Sequence, residues 1–247
     1  MRVQKLIIAF LFLSCSNDID TKYTSQQNND NEIENEITVN ILFIGNSLTI
    51  ANNGIDYHVK KFYDNGNPDV SVNTHSVSVS GASLKEHLMS GIAAGEINNK
   101  DWDYIILQEN GIVATVNPEE TIASILSFKE IISPSTTTFL FMTWAYENQP
   151  EMTDQLSSVY YEASELTNYK VIPVGLAWRD FMATNETSLL NPDGLHPNMH
   201  GTYFASAMIF SILSNQNIIQ VPYHSNLEEF QAQYIKQRVI EYVLFYY

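Results

Sequence analysis

The sequence of 247 residues contains a single cysteine, Cys15. No disulfide can form within one chain that has one cysteine, so the fold must be stabilised without one. Positive charge is also scarce, because 12 Lys and Arg residues compare with 28 Asp and Glu residues and give a formal net charge of −16. A surface this acidic repels polyanions, so we expect no nucleic-acid partner.

The apolar run near the N-terminus is too short to span a membrane, which takes about 20 residues. It follows Arg2 and Lys5 and ends at Ser14 before Cys15, an order typical of a signal peptide. A lone cysteine at this point resembles the lipobox of bacterial lipoproteins, in which the cysteine is lipidated. We therefore expect residues 1–15 to be a lipoprotein signal peptide ending at Cys15. The alternative is an ordinary cleaved signal with an incidental cysteine.

Residues 16–36 are polar and acidic and contain almost nothing to bury, which predicts a flexible tether. A lipid at Cys15 followed by such a tether predicts an exported, membrane-anchored protein, periplasmic or at the cell surface. The N-terminal lipid would then be its contact with the membrane. Residues 37–247 have the size of one α/β domain. The sequence indicates no oligomeric state.

Five β-rich runs alternate with helical patterns along residues 37–247, and we predict strands at 39–44, 70–79, 104–107, 137–143 and 170–174. The helical patterns cover residues 56–65, 118–132, 151–167, 199–215 and 227–245. The first, third and fourth runs are apolar at consecutive positions, as strands buried on both faces require. The alternation predicts an α/β fold, a three-layer α/β/α sandwich around a five-stranded parallel sheet.

Polar and small residues follow the predicted strands at the points where the strands end. Ser47 follows the first strand, Gly81 the second, Gln108 to Asn110 the third and Trp144 the fourth. In open parallel sheets, ligands bind beyond the carboxyl ends of the strands. These residues therefore converge on one edge of the predicted sheet, where we expect the functional site.

A second polar segment, before the helix at 199–215, places Asp193 three residues ahead of His196. A serine hydroxyl becomes a nucleophile when a base takes its proton, and an imidazole base needs a carboxylate that holds its tautomer. Asp193 can hold His196 if the chain turns back on itself, and Gly194 makes such a turn easy. Ser47, His196 and Asp193 are thus a candidate catalytic triad. The alternative for each motif is structural, with Ser47 and Asp193 as caps.

Both segments resemble blocks of the SGNH/GDSL hydrolases, a superfamily of serine esterases and lipases. GNSLT at residues 45–49 resembles the first block, Gly81 the glycine of the second, and DGLHP at residues 193–197 the last. The resemblance covers about residues 39–213. It implies a flavodoxin-like fold and ester hydrolysis by Ser47, without metal or cofactor. It also implies that the backbone N–H groups of Ser47 and Gly81, with one amide side chain, bind the oxyanion.

The third block departs from the family, which usually has Gly-x-Asn-Asp after the third strand. Here the chain reads LQENG at residues 107–111, and no residue aligns cleanly with the family's oxyanion asparagine. Gln108 and Asn110 can each supply the amide N–H, so both are candidates. Glu109 either binds substrate or has a structural function such as holding Gln108. This variant block resembles a subgroup of exported bacterial SGNH-like lipoproteins.

Two further residues have open alternatives. Trp144 either lines a substrate cleft or packs in the core. His200, four residues after His196, forms a possible zinc pair with it, although Pro197 interrupts the helix that such a pair usually needs. We therefore expect no metal. The expected function is hydrolysis of an acetyl or other short acyl ester, on a small molecule or a glycan. The alternative is a non-catalytic glycan-binding or structural lipoprotein on the same scaffold.

Overall fold

The computed structural model describes residues 37–66, 69–184 and 187–247. The predicted signal peptide, Cys15 and the tether at 16–36 lie outside these residues. Within the described ranges, no helix has the length and apolar character needed to cross a bilayer.

Five parallel strands form the sheet: β1 (Ile37–Gly45), β2 (Val70–Ser78), β3 (Tyr104–Leu107), β4 (Thr137–Phe141) and β5 (Lys170–Ile172). Their order in space is β2-β1-β3-β4-β5. This is the order of flavodoxin-like folds, in which the strand order reverses between β1 and β3 and ligands bind at that switch point. The predicted fold class is confirmed.

Ten α-helices lie between and after the strands in the described ranges: α1 (Ser47–Ile50), α2 (Ile55–Gly66), α3 (Leu84–Ser90), α4 (Ile92–Asn99), α5 (Gly111–Val116), α6 (Pro118–Ile131), α7 (Met152–Thr167), α8 (Val174–Thr184), α9 (Met199–Ser214) and α10 (Glu229–Tyr246). The five predicted helices correspond to α2, α6, α7, α9 and α10. The last predicted strand is two residues too long, because Val174 begins α8. Pro173 lacks the N–H that would continue the ladder.

The sheet is covered on both faces, and β1 illustrates how. Ile41 and Phe43 pack on one side against α2, α8, α9 and α10. Leu42 and Ile44 pack on the other side against the helices from α3 to α7. All four residues are buried, which explains why the strand is apolar at consecutive positions. The molecule is a three-layer α/β/α sandwich.

Candidate active site

Ser47 lies directly after β1, where the chain turns sharply into α1. A Cβ at Gly45 would lie 2.4 Å from Thr49 Oγ1 and 2.5 Å from Gln108 Oε1, so this turn needs glycine. Asn46 caps α1, since its side-chain oxygen accepts the Leu48 N–H at 3.1 Å. The structural alternative, in which Ser47 is itself the cap, is therefore wrong. Ser47 is the first residue of the helix, and its hydroxyl is left for other contacts.

The structure brings Ser47, His196 and Asp193 together in one chain of hydrogen bonds. Ser47 Oγ lies 3.0 Å from His196 Nε2, and His196 Nδ1 lies 2.8 Å from Asp193 Oδ2. Gly194 has a φ of +68°, which gives the turn that folds this segment back on itself. The arrangement is that of a nucleophile, a base and a carboxylate that orients the base.

The second oxygen of Asp193 fixes the backbone of the same turn. Its Oδ1 accepts the N–H groups of Leu195 and His196, each at 2.9 Å. Three contacts lower the pKa of Asp193 to about 2: the N–H of Leu195, the side chain of His196 and the N–H of His196. Asp193 is therefore a carboxylate across the physiological range, as a partner for an imidazolium must be.

Beside Ser47 lies a cleft of about 450 Å³. It is lined by Asn46, Ser47, Leu48, Ser80, Gly81, Asn110, Gly111, Tyr146, Leu195 and His196. The backbone N–H groups of Ser47 and Gly81 have no acceptor in the described part of the chain. Ser47 is at the first position of a helix, where an unpaired N–H is expected, and Gly81 has a φ of +74°. Both N–H groups are available to an anion.

Comparison with known proteins gives relatives by structure. No protein-family model matches the sequence, and no curated protein is similar to it in sequence. A DUF4886 family protein from Bacteroides uniformis is 18% identical, with a TM-score of 0.73 over 84% of this chain and 95% of that one. A putative SGNH hydrolase from Slackia heliotrinireducens is 21% identical, with a TM-score of 0.60 over 71% of this chain and 99% of that one.

A third structure, Axe2, an acetylxylan esterase from Geobacillus stearothermophilus, is 17% identical, with a TM-score of 0.58 over 70% of this chain and 94% of that one. At these identities the likeness concerns the fold. The chain has the SGNH-hydrolase fold. The predicted resemblance is thus confirmed at that level.

Within this SGNH fold, hydrogen bonds separate the two amide candidates for the oxyanion hole. Gln108 is buried, and its Oε1 accepts from the Asn46 N–H at 2.8 Å and the Thr49 hydroxyl at 2.9 Å. Its Nε2 donates to the backbone oxygen of Glu109 at 2.5 Å. Gln108 therefore holds the Ser47 turn from inside and does not line the cleft, so the geometry does not favour it as the oxyanion donor.

Asn110, the other candidate, does line the cleft. Its Oδ1 caps α5 by accepting the N–H groups of Ile112 and Val113, and its Nδ2 donates to Gly81 O at 2.7 Å. An amide nitrogen carries two hydrogens, so Nδ2 has one more to donate. Asn110 is therefore the side chain that can complete the hole formed by Ser47 and Gly81.

For Glu109 and Trp144 the structure favours the structural alternative over substrate binding. Each side chain is fully buried, so neither has surface to offer a ligand. Trp144 stacks on Trp178, with ring centroids 3.9 Å apart and planes 9° apart, and its Nε1 donates to Leu195 O at 3.1 Å. Trp144 therefore supports the turn that carries His196. Glu109 contacts backbone N–H groups.

The metal alternative is not assembled in this SGNH fold. His200 lines a separate cavity with Phe230 and Ile235, away from Asp193 and His196. In the three described ranges, no group of three His, Cys, Asp or Glu side chains is placed to ligate a metal.

Sequence reasoning missed Asn52, which ties the serine segment to the histidine segment. Its Nδ2 donates to Pro197 O and to Thr202 Oγ1, both at 2.8 Å. Asn52, Asn53 and Gly54 have φ values of 54°, 76° and 97°, a run of left-handed conformations. Because asparagine and glycine tolerate that region best, the string Asn-Asn-Gly was a usable indication of this turn.

Proposed function

We propose that this protein is a serine ester hydrolase that removes an acetyl or other short acyl group from a carbohydrate or a small alcohol. The observation that carries the proposal is the chain of hydrogen bonds from Ser47 through His196 to Asp193. Its nucleophilic end lies at a cleft lined by two unpartnered backbone N–H groups. This combination is what acyl transfer needs.

In the proposed first step, Ser47 Oγ attacks the ester carbonyl carbon while His196 Nε2 takes the hydroxyl proton. The carbonyl oxygen becomes an oxyanion and accepts hydrogen bonds from the N–H groups of Ser47 and Gly81 and from Asn110 Nδ2. Asp193 stabilises the imidazolium. The tetrahedral intermediate then breaks its bond to the alcohol oxygen, which takes the proton from His196 and leaves.

In the second step, water attacks the acyl group on Ser47, and His196 takes a proton from that water. Collapse of the second oxyanion breaks the bond to Ser47 Oγ, which recovers its proton from His196 and releases the carboxylic acid. Both steps use only side chains and backbone groups of this chain.

The cleft favours a neutral ester. No Lys or Arg lines it, and the chain has a formal net charge of −16. A carbohydrate ester is compatible with that surface, and one protein of similar fold is an acetylxylan esterase. We also propose that the protein is exported and anchored through a lipid on Cys15, on the basis of the sequence pattern at residues 1–15.

The test is hydrolysis of p-nitrophenyl acetate, butyrate and octanoate, with acetate release from acetylated xylo-oligosaccharides measured in parallel. We expect Ser47→Ala to lower kcat by about 10⁴-fold or more. Ser127→Ala is the matched control, because Ser127 is exposed on α6 and bonds only to its own helix. It should hydrolyse like the wild type. Equal rates in wild type and Ser47→Ala would refute the proposal.

Labelling separates the proposal from the non-catalytic alternative. A fluorophosphonate reacts with a serine that is activated by a base, so the wild type should be labelled at Ser47. A glycan-binding or structural protein with an inert Ser47 would bind the oligosaccharide and remain unlabelled.

A further inference from the structure

We infer that Glu109 is a positioning residue that holds the two loops of the oxyanion hole against each other through one buried carboxyl oxygen. The inference rests on the proposed hydrolase function and adds a residue that the triad does not use.

One oxygen of Glu109 joins two segments that are distant in sequence. Glu109 Oε1 accepts the N–H of Leu84 at 3.0 Å and the N–H of Asn110 at 2.6 Å. Leu84 begins α3, three residues after Gly81, and Asn110 caps α5. Gly81 and Asn110 are the two oxyanion donors that lie outside the Ser47 turn. Glu109 therefore fixes the distance between the loops that carry them.

The backbone of Glu109 is itself held by α7. The Glu109 N–H donates to the Tyr160 hydroxyl on α7 at 3.1 Å, and the side chain is fully buried. Glu109 Oε2 is buried and has no hydrogen-bond partner in the described part of the chain. Oε1 is thus fully used, whereas a negative charge on Oε2 would find no donor to stabilise it, which disfavours the ionised form.

The surroundings favour that neutral form. Burial raises the pKa of Glu109 to about 7, and the carboxylates of Glu120 on α6 and Glu86 on α3 act in the same direction. The N–H groups of Asn110 and Leu84 act against it. Lys85 pairs with Glu120 at 2.7 Å, which compensates part of that charge. Burial also raises the pKa of Tyr160, so its hydroxyl is neutral.

The protonation state of Glu109 matters because the proposed oxyanion donors lie next to it. A carboxylate at Glu109 would place a negative charge beside the donors that must stabilise a negative oxyanion. The neutral acid keeps both N–H contacts and adds no charge. We therefore expect the neutral form to be the active one and the rate to fall as Glu109 ionises.

The experiment measures kcat and KM for p-nitrophenyl acetate between about pH 5 and 9 in four proteins. They are the wild type, Glu109→Gln, Glu109→Leu and the control Glu119→Gln, an exposed glutamate on α6. The wild type should show an alkaline decline in kcat with a midpoint near 7. Glu109→Gln should keep kcat within about threefold at pH 6 and lack that decline. Glu119→Gln should follow the wild type.

Glu109→Leu keeps the apolar volume and removes the acceptor of both N–H groups. We expect its kcat to fall by about 10²-fold at every pH, with KM within about threefold, because loss of an oxyanion donor has that effect. Circular dichroism and thermal unfolding establish that the variant is folded. Amide hydrogen exchange over residues 79–84 and 108–113 should be faster than in the wild type.

The outcomes are distinguishable. A folded Glu109→Leu with wild-type kcat and wild-type exchange would overturn the positioning function while leaving the hydrolase intact. A Glu109→Gln variant with the same alkaline decline as the wild type would overturn it as well. A wild type that neither hydrolyses esters nor reacts with fluorophosphonate would instead overturn the proposed function and this inference with it.

Discussion

Three amide side chains surround Ser47, and their hydrogen bonds assign each a different task. Asn46 caps α1 and donates through Nδ2 to Ala82 O at 3.1 Å, so it links the serine turn to the loop after β2. Gln108 supports the same turn from the buried side. Of the two amides that the sequence offered as oxyanion donors, Asn110 lines the cleft, and its Nδ2 keeps one hydrogen beside the bond to Gly81 O. The N–H groups that the proposed mechanism needs are therefore present at the cleft despite the unusual third block.

Substitution of Asn110 can separate its capping function from its donor function. Asn110→Asp keeps the oxygen that caps α5 and removes the Nδ2 donor, whereas Asn110→Ala removes both. We expect each variant to lose about 10²–10³-fold in kcat for acetyl ester hydrolysis. Both variants lose the bond from Nδ2 to Gly81 O, but only Asn110→Ala loses the cap of α5, which costs about 1 kcal/mol in the free energy of unfolding as measured by urea denaturation. Normal kcat in Asn110→Asp would mean that this side chain does not stabilise the oxyanion.

The meeting of Ser47 with His196 and Asp193 could be predicted because the sequence signal of each half is local. Asp193 and His196 meet through one turn, and Ser47 follows a strand whose apolar pattern is unmistakable. The residues after β3 are different, since Gln108, Glu109 and Asn110 are adjacent and all polar. Which of the three reaches the cleft depends on the twist of the chain as it leaves the strand. Whether Trp144 lines the cleft or packs in the core depends in the same way on Trp178, which is distant in sequence.

Buried Glu109 predicts a dependence of stability on pH. Its folded pKa of about 7 is above the ordinary value of 4.5, so the folded state binds more protons than the unfolded state between these values. The contribution of Glu109 is therefore most favourable below pH 4.5 and is lost as the pH rises to 7. We expect the wild type to lose about 3 kcal/mol relative to Glu109→Gln between about pH 5 and 8.

Urea denaturation at both pH values measures this difference, and the shared titration of all other groups cancels in the comparison. Parallel pH dependence in the two proteins would mean that Glu109 is ionised in the folded state throughout.

At the level of elements, the predicted strands and long helices correspond closely to the structure, whereas α1, α3, α4, α5 and α8 were not predicted. Two of these contain a glycine beyond the first helical position, Gly95 in α4 and Gly175 in α8. Glycine disfavours helix by about 1 kcal/mol, so local propensity argued against both. Packing against the sheet outweighs this propensity. The N–H of Gly175, for example, donates to Met142 O at 3.0 Å.

The two glycines should respond oppositely to a methyl group. A Cβ at Gly175 would lie 2.0 Å from Thr143 O, a backbone atom at the end of β4, whereas a Cβ at Gly95 would meet nothing within 4 Å. Gly175→Ala should therefore lower the free energy of unfolding by about 3 kcal/mol. Gly95→Ala should raise it by about 0.5–1 kcal/mol through helix propensity.

Urea denaturation of both variants tests this prediction, and ester hydrolysis extends it. Displacement of Thr143 also moves Trp144, which supports the turn of His196 through Leu195 O. Gly175→Ala should therefore lose kcat as well as stability, while Gly95→Ala should keep the wild-type rate. Equal stability changes in the two variants would contradict the close contact at Gly175.

For the whole molecule, charge is the property with a functional consequence. The net charge of −16 creates a negative potential, and the groups around the cleft do not reverse it. Asp193 lies behind His196, and a Cβ at Gly194 would lie 2.9 Å from the Glu147 carboxylate, so that acid is adjacent to the same turn. An anionic ester must therefore approach against the field, whereas a neutral ester meets no such barrier.

A matched pair of substrates measures this barrier: 4-acetoxybenzoate, which is an anion, and its neutral methyl ester. We expect kcat/KM for the anion to be about three- to tenfold lower at an ionic strength of about 0.01 M, where the Debye length is about 30 Å. The difference should shrink to within about twofold at 1 M, where that length is about 3 Å. Intrinsic reactivity of the two esters does not depend on the protein's field, so the salt dependence isolates the electrostatic part. A ratio of kcat/KM that is independent of salt would mean that the cleft is shielded from the acidic surface and that the net charge does not select the substrate.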